Sequence, residues 1–181
     1  MPQPVGPAPS TDELLSSMYL ELRSIARRRM AGEARAHVLQ PTALVHEAFL
    51  RLRELDRITW RGRTHFLAVA AGQMRRILVE HARAAGAGKR GGGAARVTLA
   101  EHHATSAGPS VDLLVVDRSL ERLADRFPRS AKAAEMRLFA GMAVDEIARA
   151  LDVTDRTIKS DWRFARAWLA RDLRSHPGGR P

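Results

Sequence analysis

Apolar residues recur along this chain at intervals of three and four, the spacing that gathers them on one face of a helix. Leu14, Leu15, Met18, Leu22, Ile25 and Ala26 hold that period and predict a first helix from Thr11 to about Met30. Ser10, with Glu13 three residues on, has the spacing of a capping box at its start. Pro41, suited to a first helical turn, opens a second helix whose stripe is Leu44, Val45, Ala48, Phe49, Leu52 and Leu55. A third, from Thr64 to about Ala85, has Phe66, Leu67, Ala70, Ala71, Met74, Ile77, Leu78 and His81 on its inner side. Gln73, Arg75, Arg76 and Arg83 are left on its outer side. Helical period returns near Val111 with Leu113, Leu114, Val116, Leu120, Leu123 and Phe127, and Pro128 breaks it. Ala133, Met136, Phe139 and Ala140 mark a further helix ending near Gly141. Val144, Ile147, Ala148 and Leu151 then mark a short one. Asp152 and Val153 interrupt the pattern, and Thr154 can cap the last helix, which Ile158, Trp162, Ala165 and Leu169 stripe. No segment alternates with the period of a strand, so the expected fold is all-α.

Between the third and fourth stripes lies AAGAGKRGGGAARVTLAEHHATSAGPS, rich in glycine and alanine and without a continuing stripe. The expected organisation is two small helical domains, 11–85 and 111–173, joined by a flexible linker over 86–110. A proline-rich disordered tail, 1–10, precedes them and a short tail, 174–181, comes after them.

Charge adds a partner to this picture. The 181 residues carry a formal net charge of +10 and no cysteine, which points to a polyanion and to no disulfide or thiolate site. The surplus is uneven: residues 11–96 hold 16 Lys/Arg against 8 Asp/Glu, and the remainder from Val97 holds 14 against 12. Within the second half, Arg156, Lys159, Ser160, Arg163 and Arg166 face away from the last helix's apolar stripe. A short helix, a tight turn and a basic second helix form the helix-turn-helix pattern for major-groove binding. A plain helical hairpin with a solvated charged face has the same spacing. In the loop 56–63, Trp60 sits among charges, where a tryptophan is either a core plug or a platform for an unpaired base.

Enzymatic readings fail on their motifs. His46-Glu47 needs a second histidine where the chain has Leu50. Gly88-Lys89 lacks both the glycine and the hydroxyl of a P-loop, Arg83 and Arg90 standing there instead. His102-His103 has no further ligands at suitable spacing. No catalytic, metal-ligating or cofactor-binding set is therefore expected. No apolar run is long enough to span a bilayer and the N-terminus lacks signal-peptide regions, so a cytoplasmic protein is expected.

Several stretches in order carry a resemblance. LQPTALVHEAFLRL (39–52), Trp60 with HFLAVAAGQMRRILVEHARA (65–84), KRGGG (89–93) and RTIKSDWRFARAWL (156–169) resemble the extracytoplasmic-function class of bacterial RNA polymerase sigma factors, in particular an ECF-like subfamily. The resemblance implies a dissociable subunit that binds core RNA polymerase, directs it to promoters and assists strand opening, with no catalysis of its own. It implies that His46, Glu47 and Arg51 dock on the β′ clamp helices, although Ala43 stands where the wider class carries an acidic residue. It implies that Trp60, Arg61, Arg63, Gln73 and Arg76 engage the −10 element. It implies that Arg156, Thr157, Lys159, Ser160, Arg163 and Arg166 meet the −35 duplex while the C-terminal domain rests on the β flap. An anti-sigma factor is a further partner the class allows. Asp152 stands where similar proteins commonly have a turn glycine, in a left-handed conformation that Asp tolerates. The alternative is a stand-alone helix-turn-helix transcriptional regulator.

Overall fold

The structure is a computed structural model that describes residues 11–30, 39–55, 58–88, 96–98 and 110–175. The Ser10–Glu13 capping box, both tails, the connection 31–38, Lys89 and His102-His103 lie wholly or partly outside those residues. Among the described residues seven helices dominate: α1 (Thr11–Met30), α2 (Pro41–Arg53), α3 (Arg63–Gly88), α4 (Leu113–Arg126), α5 (Pro128–Phe139), α6 (Val144–Leu151) and α7 (Asp155–Ser175). The fold is all-α in character, with one exception to the expectation of no strands. Two short strands, β1 (Arg96–Thr98) and β2 (Ser110–Asp112), pair antiparallel with Val97 opposite Val111. Three-residue strands are too short to display a period of two.

Local chemistry accounts for the helix ends. Proline opens both α2 and α5 at the first turn, where its missing N–H is no loss. The Asp112 side chain caps α4 by accepting from the Leu114 amide at 2.8 Å. Gly62 precedes α3 with φ +90°, a conformation that side-chain-bearing residues rarely adopt. α3 then runs three residues past its expected end.

Helices α1, α2 and α3 pack together as a first lobe, and α4 to α7 as a second. α3 belongs to both, because it also packs on α4, α5 and α6. The buried set is accordingly continuous, from Leu14, Leu22, Leu44 and Phe66 through Leu67 and Met74 to Leu120, Leu138, Ile147 and Leu169. Each such side chain contributes roughly 1.5–3 kcal/mol on leaving water. α3 can serve two neighbours because Ala68, Val79 and Ala82 are buried as well as Phe66, Leu67, Ala70, Ala71, Met74 and Ile77 of its expected stripe.

Candidate nucleic-acid interface

α6 stops because Asp152 takes φ 53° and ψ 50°, the left-handed region expected of it. The Val153 N–H then bonds back to the Ala148 carbonyl at 3.0 Å, which turns the chain. Thr154 Oγ1 accepts from the Thr157 amide at 3.2 Å and caps α7, with Asp155 in the first turn beside the positive end of the dipole. At the other end of α6, Glu146 reaches back to accept from the Ala143 N–H at 2.8 Å.

Inward contacts hold α7 at both of its halves. Ile158, Ala165 and Leu169 are buried. The buried Asp161 carboxylate accepts from Ser130 Oγ at 2.9 Å and from Arg129 Nε at 2.7 Å, both at the start of α5. Asp172 accepts from Ser119 and Arg122 on α4. Trp162, expected inside, is half-buried with the Arg137 guanidinium 5.3 Å over its ring. What remains for solvent is one face. Arg156, Lys159, Ser160, Arg163 and Arg166 are exposed along it, while Thr157 is half-buried against Thr154.

The first lobe presents its cations differently. Arg61 and Arg76 are exposed and Gln73 is half-buried. Trp60 is only 3% exposed, its ring against Phe66 at 5.2 Å and His65 at 5.7 Å, so here it fills the core. His65 Nδ1 accepts from the Arg61 amide at 3.3 Å. Burial, with the Arg61 charge adding to it, holds the imidazole below its ordinary pKa. Arg63 pairs with Glu21 on α1 and Glu146 on α6. The Glu146 hydrogen bond, against the opposing effect of burial, raises the Arg63 pKa. Burial pulls the Glu146 carboxyl upward, but the hydrogen bonds from Arg63 and the Ala143 amide outweigh it and hold the carboxyl below its ordinary value. Arg75, expected on the outer face, is the clearest departure. Its side chain is 16% exposed and bonded to Asp117 and Glu135.

The expected docking residues also divide. His46 is exposed, with the Tyr19 hydroxyl 3.0 Å from Nε2. Glu47 and Arg51 instead tie α2 to α3: Glu47 bonds His81 at 2.9 Å and Arg51 at 2.8 Å, and Arg51 also bonds Glu80. His81 is thus half-buried in a polar network, not in the core as expected. Beside His46, Tyr19, Phe49, Leu50 and Arg53 line an apolar groove between α1 and α2, with Leu50 60% exposed. Sequence reasoning does not single out Tyr19 and Leu50, although an apolar residue off a helix's inner stripe is the signal of such a surface. A second cluster joins the exposed Phe127 and Phe164 to the half-buried Trp168, with ring centroids 4.7–6.3 Å apart.

Among the described residues no cluster of carboxylates and histidines is arranged to hold a metal ion, and no helix is long and apolar enough to cross a membrane. The family model for ECF sigma factors matches residues 5–175. The chain belongs to that family, whose members act in transcription initiation by binding RNA polymerase core and promoter DNA. No curated protein and no solved structure matches it.

Proposed function

We propose that this sigma factor directs core polymerase to a specific set of promoters, with α7 reading the −35 element and α3 with its preceding loop engaging the −10 element and assisting strand opening. The observation that carries this reading is the exposed basic face of α7 behind a correctly formed left-handed turn. Arginines one and two turns apart on one helix can reach base edges and phosphates within a single major groove. Arg61 and Arg76 supply a basic path on the first lobe, and Arg63 and Gln73 extend it. A stacking role for Trp60 requires it to leave the Phe66 pocket, an exchange that an unpaired base could favour by taking its ring face. The groove of Tyr19, His46, Phe49 and Leu50 offers the docking helices of core polymerase an apolar seat with a polar edge. The β flap would meet the aromatic cluster of Phe127, Phe164 and Trp168. Run-off transcription from a library of genomic fragments, using core polymerase with and without the chain, tests the proposal. Transcripts starting at shared promoter sequences are expected. A stand-alone regulator would shift duplex DNA by itself and leave core polymerase unprogrammed.

A further inference from the structure

We infer that the buried Asp161 carboxylate is a positioning residue for promoter recognition: gripped by the start of α5, it fixes the rotation of α7 about its own axis and so the aim of Arg156 and Arg163. This inference rests on the reading of α7 as the −35 surface. Asp161 stands on the inner stripe of α7 between Ile158 and Ala165, where helical period asks for an apolar side chain. Both of its oxygens are engaged. Oδ2 accepts from Arg129 Nε at 2.7 Å, and Oδ1 accepts from Ser130 Oγ at 2.9 Å and from Arg129 Nη2 at 3.4 Å. Ser130 is itself buried. The Phe127 N-cap offers α5 no side-chain hydrogen bond, so the carboxylate supplies the negative charge beside the positive end of that helix. The next residue, Trp162, is tied to the other end of α5, with the Arg137 guanidinium 5.3 Å over its ring.

Stability alone does not account for a charge in that stripe. A well-packed apolar residue in place of a buried ion pair is often neutral or stabilising. Apolar contacts, however, are non-directional and tolerate a small roll of one helix on another. Hydrogen bonds weaken steeply off their preferred angle, so a carboxylate held at both oxygens permits little roll. Arg129 and Arg137 lie about 12 Å apart along α5, at ~1.5 Å of rise per residue, while Asp161 and Trp162 point about 100° apart around α7. No rotation of α7 preserves both contacts. The tolerance needed at a base edge is narrow. A roll of about 20° carries a side-chain end, about 5–6 Å from the helix axis, through about 2 Å, enough to break a hydrogen bond there. Ser160 and Arg163, on either side of Asp161 in the chain, are exposed on the basic face, so the clamp stands directly behind it.

The test measures discrimination, because partial unfolding lowers the use of every promoter alike, whereas a misaimed α7 loses the difference between them. Core polymerase with the full chain is assayed by run-off transcription on the best promoter of the genomic library. It is assayed in parallel on versions of that promoter with single base-pair changes in the −35 element. Asp161→Leu with Ser130→Ala completes the apolar stripe and leaves no buried hydroxyl unpaired, while the exposed Arg129 turns to water. Helical circular dichroism and the urea midpoint should hold, and the ratio of best to altered promoters should fall roughly tenfold. Asp172→Asn with Ser119→Ala removes the corresponding pair about three turns further along α7 and should change the ratio less than about twofold. A ratio unchanged within about twofold in the folded Asp161 variant overturns the inference, and so does an equal fall in the Asp172 variant. If the Asp161→Leu pair loses its helical signal, Asp161→Asn alone, which keeps the shape and removes the charge, should lower the ratio in the same direction. No fall there again overturns the inference. The unaltered chain separates the two levels: its own −35 discrimination, if kept by the variants, leaves the −35 reading standing, and an unaltered chain without such discrimination removes the basis of both.

Discussion

At position 152 a single backbone conformation decides where α6 ends and how α7 leaves it. An L-residue held at φ 53° is strained, and Asp carries that strain better than a β-branched residue would. Asp152→Gly should raise stability by up to about 1 kcal/mol, and Asp152→Val should lower it by about 1–2 kcal/mol, measured by urea denaturation. His65 gives a pH-dependent counterpart. Its folded pKa lies below the ordinary 6.5, so the unfolded chain binds the proton more readily. Its contribution to stability is full above pH 6.5 and is lost as the pH falls toward the folded value. Glu146, held below its ordinary 4.5, acts in the same direction at lower pH, its contribution being lost as the pH drops through the folded value. The urea midpoint should therefore fall on acidification from about pH 7.5 to about pH 5, and His65→Asn should flatten that fall. A midpoint that rises on acidification in the unaltered chain would contradict this account.

Among the elements, α7 offers the sharpest expectation. Arg156→Ala or Arg163→Ala should weaken use of the best promoters by about 1–3 kcal/mol if the side chain meets a base edge. A phosphate contact would weaken all sequences alike and flatten the salt dependence of binding. Footprinting at several salt concentrations distinguishes these outcomes, and unchanged promoter use in both variants would remove α7 from the −35 site. The helices themselves are legible in the sequence because each is long enough for its stripe to repeat, and Thr154 and Asp152 announce the turn between α6 and α7. The second packing face of α3 is not legible. Ala68, Val79 and Ala82 are too small or too scattered to make a stripe beside Phe66 and Met74. The fate of Arg75 depends on Asp117 and Glu135, which lie 42 and 60 positions away. Local pattern says that an arginine is off the apolar face; only tertiary structure says which carboxylates meet it. Phe127 and Phe49 are likewise less buried than their stripes suggest.

For the whole molecule, the continuous core implies that the two lobes support each other's folding. Trp60 lies in the first lobe, and Trp162 and Trp168 in the second, so tryptophan replacement separates their signals. Trp60→Phe leaves fluorescence from the second lobe alone. Trp162→Phe with Trp168→Phe leaves it from the first. The circular dichroism and fluorescence transitions within each variant should coincide in urea. Two resolved steps in either variant would show that the shared core does not couple the lobes.

The uninterrupted course of α7 from Asp155 to Ser175 has a mechanical consequence. An unbroken helix transmits a push or a twist along its axis with little give, so the two ends of α7 behave as the tip and handle of one rod. Arg156 near the tip and Phe164 at mid-length are separated by about 12 Å of helical rise, at ~1.5 Å per residue. If α7 reads duplex DNA as proposed, whatever grips the aromatic corner of Phe127, Phe164 and Trp168 sets the depth and angle at which the arginines enter a groove. On that reading the corner is a handle, and a slip of a few ångströms there would become a misreading at the other end.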